Sequence, residues 1–172
     1  MSQSQTSKSA AVAAVQSTAQ YLTFLLADGV FAMDIATVRE IIQHGQLTTV
    51  PLMPTFVRGV MNLRGAVVPV IDLQARLGKA ATTVGKKTCV LIFDAQRDNE
   101  RVELGLMVDA VSEVIEIPAS EIEPPPQFGS AIKRDFIKGM GKVAGKFVII
   151  LDPERALDVD EMADLVERAQ TE

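Results

Sequence analysis

Met61-Asn62-Leu63-Arg64-Gly65-Ala66-Val67-Val68-Pro69-Val70-Ile71-Asp72-Leu73 is the stretch on which the reading of this fold depends. Val67–Ile71 is an apolar, β-branched run of strand length, preceded by a Gly-containing turn at Arg64-Gly65. Asp72 ends the strand and can cap a short helix through Leu77. The same pattern returns further along the chain. When Phe56–Leu77 is laid over Phe136–Leu157 without a gap, Phe56 meets Phe136, Gly59 meets Gly139 and Gly65 meets Gly145. Val68 then meets Val148, Asp72 meets Asp152 and Leu77 meets Leu157. Identities at that density exceed chance for residues that each occur at roughly 5–10 %. A fainter echo lies upstream of each copy, where Val38-Arg39-Glu40-Ile41-Ile42 matches Val111-Ser112-Glu113-Val114-Ile115. The chain is therefore read as a duplication.

Working outward, Tyr21–Ala27 and Val30–Ile35 flank Asp28-Gly29, a hairpin signal because both turn positions favour positive φ. Ala36–Gln43 is open between one or two helical turns and a continued strand. Thr55–Asn62, following Pro54, is read as a short helix. Lys79–Lys87 is small, polar and Gly-containing, and is the linker candidate. Thr88–Ala95 and Val102–Asp109 form a second hairpin, and Val111–Ile117 alternates as a strand does. Glu123–Gln127 holds consecutive prolines and must be a loop. Lys142–Leu151 is a third hairpin turning at Ala144-Gly145. Asp152-Pro153 opens a helix, Asp as cap and Pro at the first position, and Val159, Met162, Ala163 and Val166 recur at helical spacing beyond it.

These elements give about five short strands per half, the size of a small closed barrel filled by side chains. The expected organisation is an N-terminal arm over 1–19, a first lobe over about 20–80 and a second over about 85–157, with strand exchange between them left open. A C-terminal helix and tail occupy 158–172. Two such barrels would leave a groove between them.

The 172 residues are 48 % hydrophobic, enough for a real core. A net charge of −5 without a basic stripe argues against nucleic acid as a partner. The single cysteine, Cys89, cannot form an internal disulfide, which suits a reducing cytoplasm, and its apolar surroundings suggest a buried, inert thiol. No run approaches the roughly 18 apolar residues of a membrane span.

Catalytic chemistry finds no constellation. His44, the one histidine, sits beside Gly45 in a polar stretch and reads as solvated. With one His and one Cys, a zinc site would need carboxylates for its other ligands, and none cluster at ligand spacing. Phosphate-loop spacing fails at both Gly-Lys pairs. Gly145-Lys146 is followed by Phe147, with Met140 where the first Gly belongs, and Gly85-Lys86 has Ala80 there. No Gly-x-Ser-x-Gly elbow is present. No enzyme, metal site or cofactor is expected.

The stretch quoted at the outset resembles the N-L-R-G-x-x-x-P-x-x-D-L signature of CheW-like domains. Its neighbours agree. Ala32–Ile41 is similar to the family's strand followed by V-x-E-I, and Val50–Val60 to its P-x-x-P-x-[FY]-[VI]-x-G element. Gly105–Val114 is similar to G-x-x-V-D-x-V-x-x-V, and Ile122–Pro125 to an I-x-P-x-P-type loop. The resemblance covers about 20–162. It implies a mainly β fold of two tandem, interlaced, five-stranded SH3-like β-barrels with short helices and a C-terminal α-helix. It further implies a non-catalytic adaptor in bacterial chemotaxis. Such domains occur alone, at the end of the kinase CheA, or before a receiver domain. With no kinase or receiver sequence here, the free adaptor is the expectation.

By the same resemblance, the partners would be the cytoplasmic hairpin tip of a methyl-accepting receptor, the CheA regulatory domain, and other CheW-like domains in an array. The protein would be cytoplasmic, recruited to membrane receptors without inserting itself. The positions matching the receptor-facing part of the motif are Val38, Glu40, Val60, Leu63 and Arg64, whereas kinase-facing residues cannot be mapped. Val38, Val60 and Leu63 could floor a groove for a helix, with Glu40 and Arg64 hydrogen-bonding at its edge. Equally, Val60 and Leu63 could be core and Glu40 a local ion-pair partner. Arg64 stands where the second copy has Ala144, so the fold alone does not require an arginine there. A carrier holding an apolar metabolite between the barrels is the alternative.

Overall fold

The computed structural model describes residues 18–27, 29–45, 47–97, 99–125, 136–158 and 161–162. The elements run β1 (Thr18–Leu26), β2 (Gly29–Asp34), β3 (Val38–Gln43), β4 (Val57–Leu63), β5 (Ala66–Asp72) and the helical turn α1 (Leu73–Arg76). They continue with β6 (Cys89–Arg97), β7 (Glu100–Val108), β8 (Ala110–Pro118), β9 (Ile122–Glu123), β10 (Ile137–Val143), β11 (Lys146–Leu151) and α2 (Pro153–Leu157). Two sheets result, ordered β3-β6-β7-β5-β4 and β8-β1-β2-β11-β10-β9.

This order resolves the duplication. The repeat unit is hairpin, bulged strand, second hairpin, helical turn: β1 through α1, then β6 through α2. Each unit sends its leading hairpin into the other unit's sheet. β1 and β2 join β8–β11, while β6 and β7 join β3–β5. The strand exchange left open for the lobes at about 20–80 and 85–157 takes this form, and neither sheet is contiguous in sequence. Both sheets close by equivalent means. Thr48, beyond β3, exchanges backbone bonds of 2.9 Å each way with Val60 on β4. β8 bends through a 3-10 turn at Ala119–Glu121 into β9, which pairs with β10. These contacts shorten the free strand edges among the described residues.

The repeated glycines are explained by this closure. Gly59 has φ +147°, and a Cβ there would lie 2.6 Å from the Thr48 carbonyl oxygen. At Gly139 it would lie 2.6 Å from Ile122 Cγ2 and 3.1 Å from the Glu123 carbonyl oxygen. Both sit just past a one-residue bulge, at Arg58 and at Lys138. The hairpin turns also match. Arg64-Gly65 has φ of +53° and +85°, Ala144-Gly145 +51° and +79°, the mirror-image turn a two-residue hairpin prefers.

Alternation divides the side chains among three apolar clusters. Val68, Val70, Val90, Ile92 and Met107 fill the first barrel. Tyr21, Ala32, Ile117, Val148 and Ile150 fill the second. The largest cluster takes residues from both sheets and from α2, among them Phe24, Phe31, Phe93, Leu106, Leu151 and Leu157. Strands such as β6 therefore bury both faces and read as unbroken apolar runs. Much of the space expected to be an inter-barrel groove is core.

Other expectations change. Thr55–Asn62 is not a helix. Val57 N–H donates to the Pro54 carbonyl for a single turn, and the chain then pairs with β5. The barrel's need for that strand overrides the local signal. Ala36–Gln43 is both things considered, a 3-10 turn at Ile35–Thr37 followed by strand. Thr18 and Ala19, assigned to the arm, belong to β1. The helix capped by Asp152 stops at Leu157 because Asp158 is left-handed at φ +53°. Of the expected C-terminal face Met162 is buried, while Val159, Ala163 and Val166 lie outside the described residues.

The linker is tethered. Thr82 is buried, and its N–H and hydroxyl donate to the two Asp72 oxygens at 2.8 and 2.9 Å. Cys89 is half-buried, not buried. His44 is likewise half-buried, its Nδ1 shielded and without a hydrogen-bond partner among the described residues. No described helix is long and apolar enough to cross a membrane.

Arg76 pins the two units together. Its guanidinium lies 4.7 Å from the Phe56 ring centroid and 5.8 Å from that of Phe136, the repeat-equivalent aromatics. Its Nε–H donates to the carbonyl of Ala156, its own counterpart in the second copy, at 2.8 Å. Charge, stacking and a hydrogen bond meet where the pseudo-symmetric halves touch.

Candidate functional surface

Glu40 and Arg64 lie far apart in sequence and meet across the barrel closure. Arg64 Nη2 donates to Glu40 Oε2 at 2.8 Å, with Nη1 3.5 Å from Oε1. The fork geometry is that of a bidentate guanidinium–carboxylate pair. It is open to solvent, with 66 % of the Arg64 and 36 % of the Glu40 side chain exposed. The Arg64 hydrogen bond, aided by the charges of Arg64 and Arg39, holds the Glu40 carboxyl below its ordinary value against an opposing effect of burial. Glu40 in turn raises Arg64. The position is set by the turn: Arg64 occupies a left-handed site, and the Asn62 side chain accepts the Gly65 N–H at 3.0 Å, bracing it.

The three apolar positions do not share a face. Leu63 packs on the first barrel's interior and Val38 on the core between the barrels, each half-buried. Val60 is half-buried and three residues from Leu63 on one strand, so it points to the opposite face. A single floor made of Val38, Val60 and Leu63 is therefore not what the strands build. Outward on β3 and β5 lie instead Ile41 and Val67, 45 % and 40 % exposed.

Sequence reasoning missed a charged network beside this pair. Asp94 and Glu103 are directly opposed on β6 and β7, a destabilising juxtaposition in isolation. Arg39, the bulged residue of β3, bridges both at 3.1 and 3.2 Å, and Arg101 reaches Asp94 at 2.6 Å. Burial raises the Asp94 carboxyl; Arg39 opposes this and Glu103 adds to it. The β6–β7 register was the missing information. The repeated V-x-E segment pointed to the strand but not to its partners. Among the described residues no group of His, Cys, Asp or Glu could hold a metal ion.

Comparison with known proteins fits this architecture. The CheW-like domain model matches residues 20–161. The chain is 33 % identical to the chemotaxis protein CheW of Klebsiella aerogenes over 144 residues, 84 % of each chain. It is 32 % identical to that of Rhizobium meliloti, covering 83 % of this chain and 89 % of the relative. The crystal structure of the scaffolding protein TtCheW from Thermoanaerobacter tengcongensis superposes with a TM-score of 0.70 at 35 % identity, covering 78 % and 84 %. With its duplicated signature, exchanged hairpins and matched length, the chain belongs to the CheW family of CheW-like domain proteins.

Proposed function

We propose that this chain is a non-catalytic chemotaxis adaptor that couples methyl-accepting receptors to the kinase CheA, with the Glu40–Arg64 surface of the first barrel facing the receptor tip. Membership of a family of chemotaxis scaffolds supports the general role. The observation that carries the site is asymmetry within a duplication. The two hairpin turns share their backbone conformation, yet only the first carries the arginine, Ala144 standing in the second. Since the fold builds the same turn with alanine, the turn does not need Arg64, which leaves the Arg64–Glu40 pair open to serve a partner. A solvent-open guanidinium fork offers spare N–H donors to a partner helix, and the exposed Ile41 and Val67, with the half-buried Val60, supply adjacent apolar contact.

The adaptor would act by geometry. It would bridge the receptor tip and the CheA regulatory domain, assemble with other CheW-like domains, and be recruited to receptor arrays. Receptor state reaches the kinase only if these contacts differ in energy between states. The carrier alternative loses ground. Among the described residues the space between the barrels is largely apolar core, and a cavity at its edge is about 200 Å³, below the roughly 300–1,000 Å³ that small-molecule sites use.

The test is titration of a receptor-tip fragment against Arg64→Glu and against Glu40→Arg/Arg64→Glu. The single variant should fold normally and bind roughly ten- to a hundredfold more weakly. Unchanged affinity for the single variant would remove Arg64 from the site. Full recovery in the charge-swapped double variant would reduce the pair to a structural clasp.

A further inference from the structure

The duplication places the same three polar positions in both halves, and among the described residues only one set is bonded by another segment of the chain. In the first half, Asp72, Arg58 and Gln74 surround Thr82. The Thr82 N–H and hydroxyl donate to the Asp72 carboxylate, Arg58 donates to the Thr82 carbonyl at 3.0 Å, and Gln74 Oε1 lies 3.4 Å from the hydroxyl. Asp72 is wholly buried as a result. The equivalents in the second half are Asp152, Lys138 and Glu154. All three line a cavity of about 200 Å³ beside the inter-barrel core, with Asp34, Thr37, Phe93, Asp94, Leu151 and Pro153 completing its wall.

The site is built as its twin is. Lys138 occupies the same one-residue bulge as Arg58. Asp152 caps its helix as Asp72 does, its Oδ1 accepting from the Glu154 and Arg155 N–H groups at 3.2 and 3.4 Å. Yet the Asp152 side chain is 33 % exposed where Asp72 is 0 %. Its Oδ2 has only a 3.7 Å approach from an Arg155 that is itself 71 % exposed. An acceptor oxygen and a cationic donor thus flank a cavity where the twin site holds a threonine.

We propose that this cavity binds an extended segment of a partner protein through a Ser or Thr residue. The segment's N–H and hydroxyl would donate to Asp152, and its carbonyl would accept from Lys138, as Thr82 does with Asp72 and Arg58. The occupant's chemistry is read from the chain's own filled copy. A carboxylate and a cation lining one cavity, without the ion pair that Arg58 and Asp72 make, suit an N–H/C=O pair, and a cavity of this size takes one or two residues, not a folded surface. The residues are distinct from the Glu40–Arg64 pair, so this site stands or falls apart from the receptor-facing reading.

The probe is a blocked heptapeptide copying residues 79–85, Lys-Ala-Ala-Thr-Thr-Val-Gly, titrated into the isotope-labelled full chain and followed by amide shifts. Saturable shifts are expected at Lys138, Asp152, Glu154 and Thr37. A peptide with both threonines replaced by valine should bind at least about fivefold more weakly, the worth of one net hydrogen bond. Lys138→Met should weaken the threonine peptide similarly. So should Asp152→Asn, which keeps a good helix cap and hence the fold. Absence of saturable shifts at these amides, or equal binding of the valine peptide, overturns the proposal. Shifts at the same amides that follow protein concentration without peptide would seat a second copy there and overturn it as well.

Discussion

Asp72 and Asp152 are the same residue at the same place in two copies of one unit, and the structure gives them very different burdens. Replacing Asp72 with alanine removes a helix cap worth about 1 kcal/mol. It strands the Thr82 N–H and hydroxyl in a buried site, costing about 1–3 kcal/mol. It also strips the Arg58 guanidinium, 28 % exposed, of a 3.1 Å carboxylate partner, about 1.5 kcal/mol at the low end appropriate to a partly wet pair. The total, about 3.5–5.5 kcal/mol, is a large share of the 5–15 kcal/mol typical of a domain. Replacing Asp152 removes only the cap, about 1 kcal/mol, since its contact with the exposed Arg155 adds nothing measurable. Urea unfolding of both variants, followed by circular dichroism, reads the difference as separated midpoints at similar slope. If the two variants lose stability within about 1 kcal/mol of each other, the buried Asp72–Arg58–Thr82 network does not have the energetic role assigned to it, and the contrast between the halves fails.

Gly59→Ala should destabilise by about 3 kcal/mol or more, because its Cβ would strike the Thr48 carbonyl oxygen and break the barrel closure. Gly65→Ala, with open space around it, should cost only about 1–2 kcal/mol for its left-handed backbone, and thermal melts compare the two. Arg76→Met keeps the apolar stem but loses the Ala156 hydrogen bond and the stacking on Phe56 and Phe136. A loss of about 2 kcal/mol is expected, and an unchanged denaturation midpoint would remove Arg76 as the pin between halves. Tyr21 is the only tyrosine, so tyrosinate absorbance reports it alone. Burial first, then the cross-strand neighbour Asp34, raise its phenol, so the native midpoint should lie above about 10. The neutral phenol is the favoured folded form. Its contribution to stability is therefore complete below the unfolded value and lost as pH climbs through the raised native one. A native midpoint at or below the unfolded one would refute this.

The primary sequence determined the repeat unit. Gly59 and Gly139, Gly65 and Gly145, and Asp72 and Asp152 mark closure, turn and cap, three backbone constraints that few other residues satisfy. Local rules also placed the hairpins, because turn chemistry and strand periodicity act over a few residues. Three-dimensional folding decided what those rules do not reach. Which sheet receives each hairpin depends on long-range pairing, so the sequence left the exchange between lobes open. Thr55–Asn62 became strand because closing a barrel outweighs a weak local preference. The Glu40–Arg64 fork and the Arg39 bridge join residues distant in sequence, and the Thr82 tether folds the linker back on the strand end ten residues before it. Side-chain geometry across a closed sheet is fixed only once every strand has taken its register, and a register is a property of two strands, not of one.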